Sequence, residues 1–178
     1  VSEEFTEEEM ESKILYQELA HGAEIVCDLV VGITPTEARF KPNPESWSIL
    51  EVICHLYDEE REDFRQRLDI MLHRPAEKWP PIDPPGWVVA RKYNERNLAE
   101  MVDNFVAERQ NSLAWLEGLS TPNWDTECPT PFGVMKPGDM LGSWVAHDHL
   151  HLRQLVELRR PRVLQLVAPY DVRYAGEW

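Results

Sequence analysis

Apolar residues recur at three- and four-residue spacing in four long stretches of the chain, separated by proline-rich segments. The first stretch carries Ile14, Leu15, Leu19, Ile25, Val26, Leu29 and Val30. It predicts a helix that opens at Thr6, where a Glu three residues later completes a capping box, and stops near Val31 before Gly32 and Pro35. Thr34-Pro35-Thr36-Glu37 repeats the capping signal, but Pro42 and Pro44 limit it to a short turn. A second long helix begins at Ser48, with Glu51 as its capping partner, and carries Ile49, Val52, Ile53, Leu56, Phe64, Leu68 and Met71 as far as Pro75. Residues 74–93 hold five prolines and read as a crossover without helix, whose Trp79 and Trp87 should pack down on the body. The third helix is expected over residues 94–117, on Leu98, Met101, Val102, Phe105, Leu113 and Leu116. After a loop bounded by Gly118 and Pro137, the fourth runs from near Asp139 to about Arg160, where Pro161 should kink or end it; Leu164, Leu166 and Val167 could continue it beyond a kink. Residues 169–178 read as irregular, with Tyr170, Tyr174 and Trp178 available to dock on the helices. Strand signals are weak throughout. The expectation is an all-α four-helix bundle with long proline-rich crossover connections, one domain over residues 1–178.

Composition narrows the partners. A chain of 178 residues can bury a sizeable core. No stretch approaches the roughly 20 apolar residues that span a bilayer, so no membrane partner is expected. The acidic, polar opening VSEEFTEEEMESK is unlike a secretory signal and points to a cytoplasmic protein. A net charge of -14 disfavours phosphate backbones, so no nucleic acid is expected. Arg159, Arg160 and Arg162 sit at the expected end of the fourth helix, where they would complement its dipole. The three cysteines, Cys27, Cys54 and Cys128, are odd in number and widely spaced, which suits free thiols in a reducing compartment. Cys54 reads as a buried small side chain.

Candidate chemistry lies in the histidines. His147 and His151 are four apart, so on a helix their imidazoles share one face. They belong to the series Met140, Trp144, His147, His151, Gln154 and Leu158, whose steps of four and three keep one face inward. Two imidazoles in an inward series need partners, and a metal ion would satisfy them. His55 sits on the second helix at a depth that allows a three-nitrogen site with open positions, as catalytic metal centres have. The plain alternative is a set of hydrogen-bonded core or surface histidines. His149 points elsewhere, to solvent or a supporting position. Glu59, one turn after His55, and Gln154, beside His151, could orient an imidazole or move a proton, although solvated or structural roles suit both. The nearest cations to the motifs are Arg61 and Arg153.

Residues 46–61, SWSILEVICHLYDEER, resemble the second-helix signature of the DinB/YfiT-like metalloprotein superfamily: a tryptophan before the helix, a histidine–leucine pair, then an acidic turn. Residues 144–154, with the core HDHLHLRQ, resemble its fourth-helix motif, and the tail YAGEW is similar to that of some members. The resemblance implies an up-up-down-down-like bundle, often a homodimer, with a divalent metal, zinc or nickel, held by His55, His147 and His151. His149 falls where members vary and carries no assignment. Members often have adjacent histidines late in the second motif; here Leu150 precedes His151 and the outer ligand position is kept. Members include bacillithiol-, mycothiol- or glutathione-dependent transferases, a thiol-dependent maleylpyruvate isomerase and hydrolases. The resemblance therefore implies a metal-dependent enzyme acting on a small-molecule substrate through an activated low-molecular-weight thiol or water. A non-catalytic metal-binding stress-response protein is the second expectation, and a metal-free helical interaction module the third.

Overall fold

The computed structural model describes residues 7–177. Helix α1 spans Glu7–Val30, so the expected Thr6 cap lies outside the described residues. Gly32, at φ 71°, closes the helix end in the left-handed region that glycine tolerates. The short α2, Pro35–Arg39, is fixed by the Thr34–Glu37 capping box. Ser48 and Glu51 form the second box, opening α3 at Ile49–Glu59. The helix continues through a π turn, Glu60–Phe64, into α4, Arg65–His73, and stops before Pro75.

The crossover departs from expectation. It contains α5, Pro84–Ala90, and a 3-10 turn, Tyr93–Glu95. Two of the prolines that read as breakers, Pro84 and Pro85, occupy the first turn of α5, where a missing N–H costs nothing, and Asp83 caps it by accepting from the Gly86 amide at 3.0 Å. Trp79 and Trp87 do pack against the apolar cores. Helix α6 spans Leu98–Glu117, starting later than residue 94 because the Asn97 side chain caps it and the 3-10 turn occupies the preceding residues. The loop after α6 holds an antiparallel hairpin, β1 Cys128–Thr130 and β2 Gly133–Met135, whose strands are too short to show alternation. Helix α7 spans Pro137–Val167 and passes Pro161 without ending. Arg159, on one side of that proline, donates to the carbonyls of Asp28 and Leu29; Arg162, on the other, donates to the Gly32 carbonyl and to Glu37. These arginines therefore serve the carbonyl end of α1, not that of their own helix. Tyr170 and Tyr174 are exposed and do not dock, and Trp178 lies outside the described residues.

Contacts set the directions. Glu18 faces His149, and Asp28 faces Arg159, so α1 and α7 run parallel. Glu60 faces Arg109 and Arg65 faces Ser112, so α3–α4 and α6 run parallel. His55 and Phe64 meet His151 and Trp144 respectively, so the two pairs are opposed: the four-helix bundle runs up-down-down-up along the chain, where the resemblance implied an up-up-down-down-like order. The core falls into two apolar clusters, one around Val26, Ile53, Phe105 and Leu152, the other around Leu19, Leu68, Leu116 and Trp144. Ile14 and Ile25, read from the pattern as part of the buried stripe of α1, are exposed on its outer side.

Candidate metal centre

Each histidine is placed by its helix. His55 is in the second turn of α3, whose start is fixed by the Ser48 cap. His147 and His151 are one turn apart on α7. The three rings converge: His55 Nε2 lies 3.2 Å and His151 Nε2 3.1 Å from His147 Nε2. One ligand atom from each falls within 4.8 Å of the others, in an arrangement that could hold a metal ion. A tetrahedral metal about 2.0–2.1 Å from each nitrogen would space them roughly 3.3 Å apart, close to the separations of the two pairs that His147 makes.

The ring environment favours neutral imidazoles with inward lone pairs. Burial, together with the neighbouring histidines, pushes His55 down to about 2. Burial, with His151 and Arg109, pushes His147 down to about 3, and burial lowers His151 as well. His151 Nδ1–H donates to Gln154 Oε1 at 2.8 Å, which leaves Nε2 as the bare nitrogen. His55 Nδ1 faces Glu59 Oε1 at 3.7 Å, and both atoms are buried without a hydrogen-bond partner. If Nε2 bound a metal, Nδ1 would carry the proton, and Glu59 is its nearest acceptor. The residues present thus fit a divalent cation: three neutral imidazole nitrogens aimed at one point, with supporting acceptors behind two of them.

Aromatic rings wall the site. Trp47 lies 4.8 Å from the His55 ring and 6.2 Å from that of His151, and Phe64 lies 4.9 Å from that of His147. Phe64 is stacked at 5.8 Å on Trp144, which donates from Nε1 to Glu60 at 3.0 Å. The remaining sequence candidates separate. His149 is exposed, 3.5 Å from Glu18. Cys54 is fully buried, and burial pushes its thiol up to about 12, which suits a packing residue. Arg61 pairs with Asp58 and Glu62, and Arg153 with Glu157.

Sequence reading missed the polar cluster next to the triad. Arg109, 1 % exposed, donates from Nε and Nη2 to Glu60 at 2.7 and 2.8 Å. It also donates to Asp148 at 2.6 and 3.0 Å and to the Leu19 carbonyl at 2.6 Å. One guanidinium therefore ties α1, the π turn and α7 to α6. Gly22 makes room for it: a Cβ there would stand 2.8 Å from Asp148 Oδ2. A signal existed, because Met101, Phe105, Arg109, Ser112 and Leu116 form one inward series with an arginine in its middle.

The sequence model of the DinB superfamily matches residues 19–155, which span all three histidines. Among solved structures, the chain is similar to YfiT from Bacillus subtilis, described as a probable metal-dependent hydrolase with an unusual four-helix bundle topology. The TM-score is 0.76 at 18 % identity, over 91 % of this chain and 92 % of that one, a likeness that establishes the shared fold. No curated protein sequence matches the chain.

Proposed function

The chain belongs to the DinB superfamily, and from that membership we propose a metal-dependent enzyme that acts on a small molecule, with His55, His147 and His151 as the metal ligands. The observation that carries the reading is the convergence of three buried imidazoles, with His147 Nε2 3.2 Å from Nε2 of His55 and 3.1 Å from Nε2 of His151. Zinc and nickel both suit three imidazoles. A bound metal of this kind supplies Lewis acidity that lowers the pKa of a water or thiol, making it a nucleophile near neutral pH.

The chain's own groups do the rest. Gln154 fixes the ring of His151, Glu59 backs His55, and Trp47 with Phe64 restricts water around the rings. The description of YfiT favours water over a low-molecular-weight thiol as the nucleophile. A homodimer accords with the family, and exposed Ile14 and Ile25 on α1, with Leu150 and Val156 on α7, offer apolar surface for it.

Elemental analysis of the untagged protein beside His147→Ala/His151→Ala tests the metal. Near-stoichiometric zinc or nickel lost in the double variant is expected; absence from both, even after refilling, overturns the reading. The loaded protein is then assayed for ester and amide hydrolysis, and for conjugation of electrophiles with bacillithiol, mycothiol and glutathione. Hydrolysis that requires the metal is expected; metal binding with no turnover in any assay would favour the non-catalytic reading.

A further inference from the structure

Four residues on the second helix stand at strict four-residue spacing: His55, Glu59, Asp63 and Arg67. On an ordinary α-helix each such step advances about 40° around the axis, so Arg67 would sit about 120° away from His55. The π turn Glu60–Phe64 carries an extra residue in its turn and rotates the row back. All four side chains are consequently buried, between 4 and 8 % exposed.

His55 Nδ1 faces Glu59 Oε1 at 3.7 Å, the buried carboxyl groups of Glu59 and Asp63 act on each other one turn apart, and Asp63 Oδ1 stands 2.5 Å from Arg67 Nε. The guanidinium of Arg67 lies 4.7 Å from the centroid of the Trp79 ring in the crossover. Among the described residues, the buried side-chain nitrogens and oxygens with no hydrogen-bond partner are His55 Nδ1, Glu59 Oε1, Asp63 Oδ1 and Arg67 Nε. The Asp63–Arg67 approach is thus an ion pair whose angle falls outside a hydrogen bond. Buried polar atoms left unpaired are rare and call for a reason. Here they all fall in one row that ends on a candidate metal ligand.

We propose that Glu59, Asp63 and Arg67, anchored under Trp79, form a positioning element for His55 that sets the affinity of the triad for a divalent cation. The inference rests on the reading of the triad as a metal site. A ligating imidazole whose far nitrogen donates to a held carboxyl group is fixed in tautomer and orientation, and is a better donor to the metal. Asp63 pairs with Arg67 and lies one turn from Glu59, where its carboxyl acts on that of Glu59. The row therefore couples the crossover to a site about three helical turns away.

The test is competition titration of Zn²⁺ on the metal-free full chain, with the visible spectrum of the Co²⁺-loaded protein as a second readout. Arg67→Met is expected to weaken Zn²⁺ binding about tenfold or more and to alter the Co²⁺ ligand-field bands. Arg67→Lys should recover part of the loss. Asp63→Asn, close in volume to the native side chain, gives the same readout if Arg67→Met does not fold. A purely structural role would lower the unfolding temperature and leave Zn²⁺ affinity and the Co²⁺ bands unchanged. That result in folded variants overturns this inference while the metal reading stands. Failure of the unaltered chain to bind either ion overturns both.

Discussion

His151 owes its inward lone pair to one hydrogen bond from its far nitrogen to Gln154 Oε1. Gln154→Leu keeps the size of the side chain and removes the acceptor. The expected outcome is about tenfold weaker Zn²⁺ binding with an unchanged helical spectrum, read by competition titration. The buried imidazoles also give acid sensitivity a sign. His55 and His147 are pushed from the ordinary 6.5 to about 2 and about 3. Below pH 6.5 the unfolded chain binds protons that the folded chain refuses, so their stabilisation is full above 6.5 and is lost as pH falls. Glu59, pushed up to about 9 by burial and by Asp63, has the opposite sign, losing its contribution as pH rises above 4.5. Comparing metal-free protein with His147→Ala isolates the imidazole part: thermal melts between pH 4.5 and 6.5 should show a shallower pH slope in the variant. At this scale helical spacing made the pairing of His147 with His151 legible, and the family resemblance pointed to His55 as the third ligand. The backing of His55 was legible only as far as Glu59, because Asp63 and Arg67 join the row through a π turn.

Helix starts written in local chemistry were readable. Ser48 accepts from the Glu51 amide at 3.1 Å while Glu51 accepts from the Ser48 amide at 2.8 Å, and this cap begins α3, the helix that carries His55. Ser48→Ala should cost about 1 kcal/mol in urea unfolding. It also removes the 2.7 Å contact of Ser48 Oγ with Asn94 Oδ1, which ties the cap to the crossover. Elements decided by long-range contacts were not readable. Pro161 was expected to kink or end α7; the helix continues through it to Val167, and Arg159 and Arg162 hold it to α1 on both sides. Such anchoring offsets the roughly 3 kcal/mol that an interior proline costs. The prolines of α5 misled for a different reason: Pro84 lies in a first turn, where proline fits, and the cluster around it hid that position.

Across the whole molecule, the buried polar layer around Arg109 separates the two apolar clusters, and it lies beside the triad because Asp148 follows His147. Arg109→Leu would leave Glu60 and Asp148 buried without their cation, and is expected to cost about 3–5 kcal/mol in denaturant unfolding. Gly22→Ala should cost about 1–3 kcal/mol, since the added Cβ meets a carboxylate that Arg109 holds in place. If the triad is loaded, chelation should lower the unfolding temperature, by an amount that grows with the free metal concentration before stripping. The sequence by itself determined the helical stretches, the capped starts and the pairing of His147 with His151, because hydrophobic period, capping and one-turn spacing are local properties. Only the tertiary structure decided that His55 meets that pair, that Arg109 joins the helices and that the row from His55 ends under Trp79. Those facts depend on how each helix is rotated about its own axis against its neighbours, and local spacing leaves that rotation open.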